Sequence, residues 1–193
     1  MFRAGLEQTA RIAFMAPQAK AGHNPATEPV DQAAASSDAP LKLDDFLPYQ
    51  LNVAASLVSQ ALSRIYADRY GMGIPEWRVL VTLGEFGVMT GKAVGAHSHM
   101  HKTKVSRAVA HLEKNRLVQR RSNKSDLRES LLSLTPEGRA IYNDLAPGAR
   151  DFANHLLEAI PPADRPAFAR ALEHLTKRAM TLAAKVEKGE HDD

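Results

Sequence analysis

The segment from His101 to Gly138 constrains the fold of this chain more than any other stretch. From Lys102 to about Asn115, apolar residues recur at helical spacing, with basic and hydroxyl side chains between them. Two short strand-like stretches follow, Leu117 to Ser122 and Glu129 to Leu134, and a charged loop joins them. A new helix then begins at Thr135-Pro136. A basic helix followed by a hairpin is the sequence form of a recognition helix with a β-wing, a device for binding duplex DNA.

The charge of the chain is concentrated in the same region. Between Gly91 and Leu131 the sequence holds ten Lys and Arg residues against three Asp and Glu residues, a net +7. The whole chain carries +3 at pH 7, so the remainder sums to −4. Such asymmetry is typical of a polyanion-binding surface on a neutral or acidic scaffold. The alternative is a solvated run of charge, but such runs usually mix both signs.

Composition excludes several classes of protein. The sequence contains no cysteine, which excludes disulfides, thiolate metal sites and redox sensing through a thiol. It contains no apolar run of about 18 residues and no secretory signal, so we expect a cytoplasmic protein without membrane contact. A phosphate-binding glycine loop and the HExxH and GxSxG motifs are absent from the sequence. We therefore expect no enzymatic activity and no cofactor.

The chain divides into an arm, a folded domain and a short tail. Residues 1–42 hold few large apolar side chains and, in their second half, much Ala, Pro, Ser and Asp. This composition predicts a disordered arm, to which we assign no function. The folded domain is expected over residues 43–187, with its DNA-binding part at about 75–135, and residues 188–193 are expected to fray. The fold class is predicted to be mainly α with a small β-wing.

Start and stop signals bound the first helices of the domain. One residue of the Asp44-Asp45 pair can cap a helix that ends at Gly71, where glycine can take the left-handed conformation. The run Ile74-Pro75-Glu76-Trp77 begins a second helix, with proline near its first position. Thr90 can cap a short third helix, and this helix together with the basic helix that follows makes a helix-turn-helix unit.

The flanking helices, at about 44–70 and 136–187, carry more apolar surface than a small winged domain needs. In the last of them, apolar residues recur at alternating spacings of four and three, which suits helix–helix packing. These residues are Phe168, Leu172, Leu175, Ala179, Leu182 and Val186. We expect dimerisation through these helices, and the alternative is that they fold back on their own subunit. A two-fold dimer would place two recognition helices about 34 Å apart, which matches a palindromic site.

The candidate DNA contacts on the recognition helix are polar residues near its start: Lys102, Thr103, Lys104, Ser106 and Arg107. An arginine here can pair bidentately with guanine O6 and N7, and hydroxyl groups can reach a phosphate or a base edge. The two lysines are expected to neutralise phosphates, which raises affinity without reading sequence.

The wing supplies a second set of candidate contacts: Arg120, Lys124, Asp126 and Arg128. An arginine at a loop tip suits the negative potential of a narrow minor groove, which favours DNA contact for Arg128. Asp126 can hold a neighbouring arginine in position, or it can simply bond its own backbone as aspartates do in turns. Both interpretations of Asp126 remain open.

The order and spacing of these motifs resemble the MarR family of transcription regulators. The resemblance runs from about Leu47 to Arg178. It rests on Lys102-x-x-Val105-Ser106-Arg107, Leu112-Glu113, Leu117-Val118, Asp126-x-Arg128 and Leu134-Thr135-x-x-Gly138. It implies a winged-helix homodimer, built from the terminal helices, that binds a palindrome near a promoter, usually as a repressor released by a small molecule. It also implies that Ser106 and Arg107 read the major groove, and that Asp126 with Arg128 forms the wing-tip pair.

The chain departs from the family pattern at a few positions. His101 stands where many members have Asp, and Lys104 where a small residue or Thr is common. Asn115-Arg116 replaces the usual Lys-Gly before the wing, although Asn can also adopt the left-handed conformation that a turn here requires. These departures bear on the preferred DNA sequence and leave the expected fold unchanged.

The resemblance also implies a small-molecule effector, often a phenolic or aromatic carboxylate or its coenzyme A thioester. Such ligands typically bind between the dimerisation helices and the winged part. The candidate pocket residues are Tyr49, Tyr66, Trp77 and Arg78, which would offer aromatic walls and one cation for a carboxylate. For Trp77 the alternative is plain packing in the core.

Two other functions remain open from the sequence. His97, His99 and His101 could make a metal-responsive regulator, since imidazole is a common ligand for zinc or nickel. We favour the simpler account in which these histidines lie beside DNA phosphates, and we assign no metal site. The other function is that of an architectural protein that coats DNA without sequence preference.

Overall fold

The computed structural model describes residues 40–122 and 129–188. Most of the predicted arm and of the predicted tail lies outside these residues. Six helices and three strands occupy the described ranges, after a 3-10 turn at Leu43–Asp45. The helices are α1 Leu47–Tyr70, α2 Ile74–Phe86, α3 Gly91–Ser98, α4 Lys102–Lys114, α5 Pro136–Leu157 and α6 Arg165–Lys188. The strands are β1 Met89–Thr90, β2 Val118–Ser122 and β3 Ser130–Leu134.

The first helix begins later than its capping signal predicts. Asp44 and Asp45 lie in the 3-10 turn, which the backbone bond from Phe46 N–H to Leu43 O closes at 3.1 Å. Phe46 is therefore the residue that precedes α1, and no side chain caps the helix, so the prediction of an aspartate cap is wrong. The predicted end is confirmed, because Gly71 follows α1 with φ of 60°.

The helix-turn-helix unit forms at the predicted positions. At the start of α2 the Glu76 carboxylate accepts the Gly73 backbone N–H at 3.0 Å, and Pro75 lies in the first turn. The Thr90 hydroxyl accepts the Ala93 N–H at 3.2 Å, so it caps α3 as predicted. Each cap satisfies a backbone group that the helix leaves without a partner.

The three strands form one small antiparallel sheet in the order β1-β3-β2. Val118 lies opposite Leu134 at one end of the hairpin, and Ser122 lies opposite Ser130 at the other. The short strand β1 adds to the outer side of β3, where Met89 pairs with Leu132. The predicted mainly α fold with a small β-wing is therefore confirmed.

The turn between α4 and β2 contains one left-handed residue, which is not a glycine. Asn115 keeps φ of −85°, and Arg116 takes the left-handed conformation with φ of 59°. The N–H of Leu117 bonds to Leu112 O at 2.9 Å, and the N–H of Arg116 bonds to Glu113 O at 2.9 Å. This pair of bonds closes a helix with the residue after the C-cap left-handed. That residue is Arg116, which stands at the glycine position of the usual Lys-Gly pair.

One core joins the winged part to α1 and α5. Its largest fully buried side chains come from four helices and the α1–α2 turn: Tyr66, Met72, Leu80, Leu83, Leu112 and Leu145. The helix α5 runs without interruption through Pro147. In contrast, every side chain of α6 from residue 166 to residue 184 is exposed. Within the described ranges, no helix is long and apolar enough to cross a membrane.

Candidate nucleic-acid interface

The recognition helix α4 separates its buried and exposed residues cleanly. Val105, Ala108, Val109 and Leu112 are at most 3% exposed and hold the helix against the core. The polar residues predicted to contact DNA all lie on the exposed face: Lys102, Thr103, Lys104, Ser106 and Arg107. Because the buried face is anchored at every turn, the exposed side chains project from a rigid support.

Close packing between α3 and α4 fixes the start of the recognition helix. The backbone N–H of Met100 bonds to Gly95 O at 3.0 Å, and His99 takes a left-handed conformation with φ of 50° to make the turn. A Cβ at Gly95 would lie 3.1 Å from Met100 O and 3.5 Å from the Val105 side chain. The small residue therefore lets α3 approach α4 closely.

A groove of about 640 Å³ lies between α3, α4 and the wing strands. Lys102 and Ser106 line it from α4, Arg120 lines it from β2, and Lys92 lines it from the first turn of α3. The predicted contact set omits Lys92. Its position in the first turn of the predicted third helix, within the basic window, was the available signal.

Arg120 differs from the other predicted contacts because its charge is already paired. Its Nε and Nη2 groups donate to the two carboxylate oxygens of Glu113 on α4, each at 3.1 Å. The Arg120 side chain is 49% exposed and that of Glu113 is 29% exposed. The hydrogen bonds to Glu113 raise the pKa of Arg120 above its ordinary value. This bidentate pair joins the recognition helix to the wing.

The root of the wing is held by the start of α5. The Thr135 hydroxyl donates to Arg116 O at 2.7 Å and accepts the Gly138 N–H at 3.0 Å. The Thr135 N–H bonds to Leu117 O at 3.0 Å. A Cβ at Gly138 would lie only 2.0 Å from Leu117 O, so only glycine fits there without a shift. The Leu134-Thr135-x-x-Gly138 motif is thus a joint between the wing and α5. The predicted wing-tip contacts Lys124, Asp126 and Arg128 lie outside the described residues.

Two of the four predicted effector-pocket residues, Tyr66 and Trp77, pack in the core. The Tyr66 ring is 1% exposed and stacks on the Trp77 ring, with centroids 4.9 Å apart. Burial is the first cause that raises the pKa of Tyr66. Both rings therefore pack in the core, as the packing alternative for Trp77 describes, and an effector pocket lined by these two residues stays a prediction.

The other two predicted pocket residues lie on the surface, and one of them lines a groove. Arg78 contributes to an open groove of about 710 Å³ between α1, the start of α2 and the turn before α4. Lys104, His99 and His101 line the same groove, and none of its lining residues in the described structure is acidic. Tyr49 is 42% exposed on α1 and does not line this groove.

The three histidines considered as metal ligands have separate local roles. The His97 ring contacts the Phe86 ring with centroids 4.3 Å apart, and His99 makes the left-handed turn. The Nδ1 atom of His101 accepts the Thr103 N–H at 3.5 Å at the start of α4. Across the described part of the chain, no group of three or more His, Cys, Asp or Glu residues is placed to hold a metal ion.

Polar contacts also join α1 to α5 and α5 to α2. The Asp144 carboxylate accepts a hydrogen bond from the Tyr70 hydroxyl at 2.8 Å and pairs with Arg69 at 2.9 Å. The bond from Tyr70 is the main cause that lowers the pKa of Asp144, and the ion pair with Arg69 adds to it. Further along, Arg139 of α5 donates to Gly84 O at 2.6 Å near the end of α2.

Comparison with known proteins agrees with this geometry. The sequence profile of the MarR family matches residues 73–130, from the start of α2 to the wing. The HTH-type transcriptional regulator YwoH of Bacillus subtilis is 30% identical to this chain over 122 residues. The matched region covers 63% of this chain and 88% of that protein.

Solved structures extend the comparison to 72% of the chain. Sco3205, a MarR family regulator from Streptomyces coelicolor in complex with DNA, is 25% identical with a TM-score of 0.63. The match covers 72% of this chain and 91% of that one. BpsR of Bordetella bronchiseptica, whose DNA binding is regulated by 6-hydroxynicotinic acid, has a TM-score of 0.65. It covers 72% of this chain and 98% of BpsR at 20% identity, which shows the fold alone.

Three findings agree: the helix-turn-helix unit, the wing joined to α5, and the match to YwoH over 88% of that protein. The chain belongs to the MarR family, and its relatives are transcription regulators and not enzymes.

Proposed function

We propose that the protein binds a palindromic site in duplex DNA as a homodimer and acts as a repressor that a small anionic molecule releases. The observation that carries this proposal is the exposed polar face of α4, which is backed by a fully buried apolar face. A helix held in this way can enter a major groove with its side chains already placed. Because such a regulator works on chromosomal DNA, we also propose that it resides in the cytoplasm.

The residues of this face divide into those that read bases and those that bind phosphates. Arg107 is exposed in the second turn of α4, where a bidentate bond to guanine would contribute about 1–3 kcal/mol of discrimination. Ser106 and Thr103 offer hydroxyls for a base edge or a phosphate. Lys102 and Lys104 carry exposed charges that would neutralise phosphates and release counterions.

Two further sets of residues would extend the contact with DNA. Lys92 lines the same groove as Lys102, so it could bind a phosphate of the same backbone. The wing residues Lys124, Asp126 and Arg128 stay proposed contacts, with Arg128 in the minor groove.

The exposed apolar residues of α6 support the proposed dimer. Its apolar residues include Phe168, Leu172 and Leu175, each at least 40% exposed, and the surrounding side chains are exposed as well. A helix of this length gains little stability in water without packing of its apolar face. The heptad-like spacing favours another helix as the partner. A second copy of the chain supplies one, and two-fold symmetry then presents two α4 helices to one DNA face.

The groove that Arg78 lines supports the proposed effector site. Arg78 and Lys104 supply two cations to it, while Ile74 and Pro75 supply apolar surface. This combination suits an aromatic carboxylate or its coenzyme A thioester. Since Lys104 and His101 belong to the start of α4, a ligand held here would shift the recognition helix or occupy its charges. BpsR, which has the same fold, responds to an aromatic acid, and this supports the proposal.

The direct test is selection of bound duplexes from a random library of about 30 base pairs by the wild-type protein, with excess nonspecific competitor. We expect enrichment of an inverted repeat whose half-sites lie about 10 base pairs apart from centre to centre. Binding without any enriched sequence would favour the architectural alternative. Enrichment that a chelator abolishes would favour the metal-responsive alternative.

The effector is tested on the selected duplex by fluorescence anisotropy with a panel of aromatic acids and their coenzyme A esters. We expect one class of compound to weaken the binding of DNA. Arg78→Ala should remove this response, and Arg64→Ala, an exposed arginine of α1 outside the groove, should retain it. If every compound acts equally on both variants, the groove is not the effector site.

A further inference from the structure

The pair between Glu113 and Arg120 crosses from the last turns of the recognition helix to the middle of β2. Between the two residues the chain makes the left-handed turn at Arg116 and enters the strand at Val118. Both carboxylate oxygens and two guanidinium nitrogens take part, at 3.1 Å each. Two parallel bonds fix direction as well as distance, so the pair sets an angle between α4 and β2.

The same geometry restricts how Arg120 can contact DNA. A guanidinium recognises guanine or phosphate bidentately through an edge with two parallel N–H groups. Glu113 occupies the side edge of Arg120, formed by Nε and Nη2, so a bidentate contact with DNA could use only the end edge formed by Nη1 and Nη2. The charges of the two residues also cancel locally, so the pair adds no net positive charge to the surface that faces DNA.

The direction in which the wing extends depends on the orientation of β2 where the strand begins, at Val118. From Val118 to Ser122, β2 extends about 13 Å at the usual rise per residue. A rotation of about 10° at Val118 would move Ser122 by roughly 2 Å, which is enough to break a hydrogen bond to a phosphate. Arg120 is the middle residue of β2, and its contact with Glu113 of α4 resists such a rotation.

We propose that Glu113 and Arg120 are positioning residues that hold the wing at a fixed angle to the recognition helix. This inference rests on the proposed function, since the angle matters for simultaneous contact of α4 and the wing with DNA. Arg120 then affects binding through Glu113 and not through a phosphate or a base.

Binding to the duplex selected by the wild-type protein separates the two roles of Arg120. We expect Arg120→Ala and Glu113→Ala each to weaken binding by a similar factor, on the order of threefold to tenfold, and the double variant to be no weaker than the worse single. The salt dependence of Arg120→Ala should match that of the wild type. The swapped variant, which combines Glu113→Arg with Arg120→Glu, should bind the duplex more tightly than either of these two substitutions alone.

The opposite pattern would overturn the proposal. If Arg120 contacts DNA, Glu113→Ala frees it and binding becomes equal or tighter than in the wild type. In that case Arg120→Ala would also lower the slope of log affinity against log salt by about one unit. The matched control is Glu173→Ala, which removes an exposed ion pair of α6. In this pair Lys177 Nζ and Glu173 Oε1 are 2.5 Å apart, and its loss should leave DNA binding unchanged.

A measurement without DNA keeps this inference separate from the proposed function. Amide hydrogen exchange of β2 and β3 in the free full-length protein should speed up in both single variants and slow again in the swapped variant. It should not change in the α6 control. Unchanged exchange in both single variants would refute the inference even if DNA binding is confirmed. A wild-type protein that enriches no sequence would instead refute the proposed function.

Discussion

Replacing Gly138 with alanine perturbs the joint between the wing and α5. The added methyl group would lie 2.0 Å from Leu117 O and 2.9 Å from the Leu117 carbonyl carbon. Both atoms belong to the backbone, so no side-chain rotation can relieve the contact. The carbonyl must move by about 1.5 Å to reach an ordinary van der Waals distance, and it also accepts the Thr135 N–H.

The magnitude follows from three contributions. Overpacking against a rigid backbone costs about 1–3 kcal/mol or somewhat more. Weakening the bond from Thr135 to Leu117 costs about 1 kcal/mol. Alanine returns roughly 0.5–1 kcal/mol, because Gly138 lies in the first turn of a helix. We therefore expect Gly138→Ala to lower the free energy of unfolding by about 2–3 kcal/mol.

Thermal unfolding followed by circular dichroism measures this effect. A loss of that size lowers Tm by about 5–10 °C in a domain of this length. Gly148→Ala in the same helix is the matched control, because its Cβ would meet only the Ile65 side chain at an ordinary 3.6 Å. The control should keep or raise Tm. If Gly138→Ala unfolds at or above the temperature of the wild type, the role assigned to this joint is wrong.

Three other predictions concern stability and assembly. The hydrogen bond from Tyr70 lowers the pKa of Asp144, so this carboxylate stabilises the fold above about pH 4 and loses its effect as pH falls through the folded pKa. Urea unfolding should therefore show Asp144→Asn to be less stable than the wild type at pH 7, with a difference that narrows in acid. Since His99 has φ of 50°, His99→Gly should exceed His99→Val in free energy of unfolding by about 1–2 kcal/mol, and equal values would contradict the strain at this turn. We expect Leu175→Arg to convert the proposed dimer to a monomer in light scattering and Lys177→Ala to leave it dimeric. If both variants are dimeric, the interface lies elsewhere.

Much of the fold could be predicted because its signals are local. Thr90 caps α3 through its own hydroxyl, and Gly71 ends α1 through its own backbone. The buried and exposed faces of α4 follow from helical spacing, since the apolar positions recur at that period. Each of these features depends on residues within about one turn of each other.

The parts that could not be predicted depend on contacts between elements. The pairing of Arg120 with Glu113 is one such contact. Glu113 belongs to α4, and the turn between α4 and β2 brings the two side chains together. Tyr66 of α1 stacks on Trp77 of α2, a contact between two helices that no local spacing shows. At the turn before β2, Asn115 and Arg116 compete for one left-handed position, and the hydrogen bond of Leu117 selects the second.

The central claim is that α4 reads bases while the lysines at its start bind phosphates. The most direct measurement is anisotropy binding of wild type, Arg107→Ala and Lys102→Ala to the selected duplex and to duplexes with one base pair changed, at several salt concentrations. We predict that Arg107→Ala loses preference at one base pair in each half-site. Lys102→Ala should weaken binding to all duplexes equally and lower the salt slope by about one unit. Full affinity and unchanged preference in Arg107→Ala would contradict the placement of α4 in the major groove.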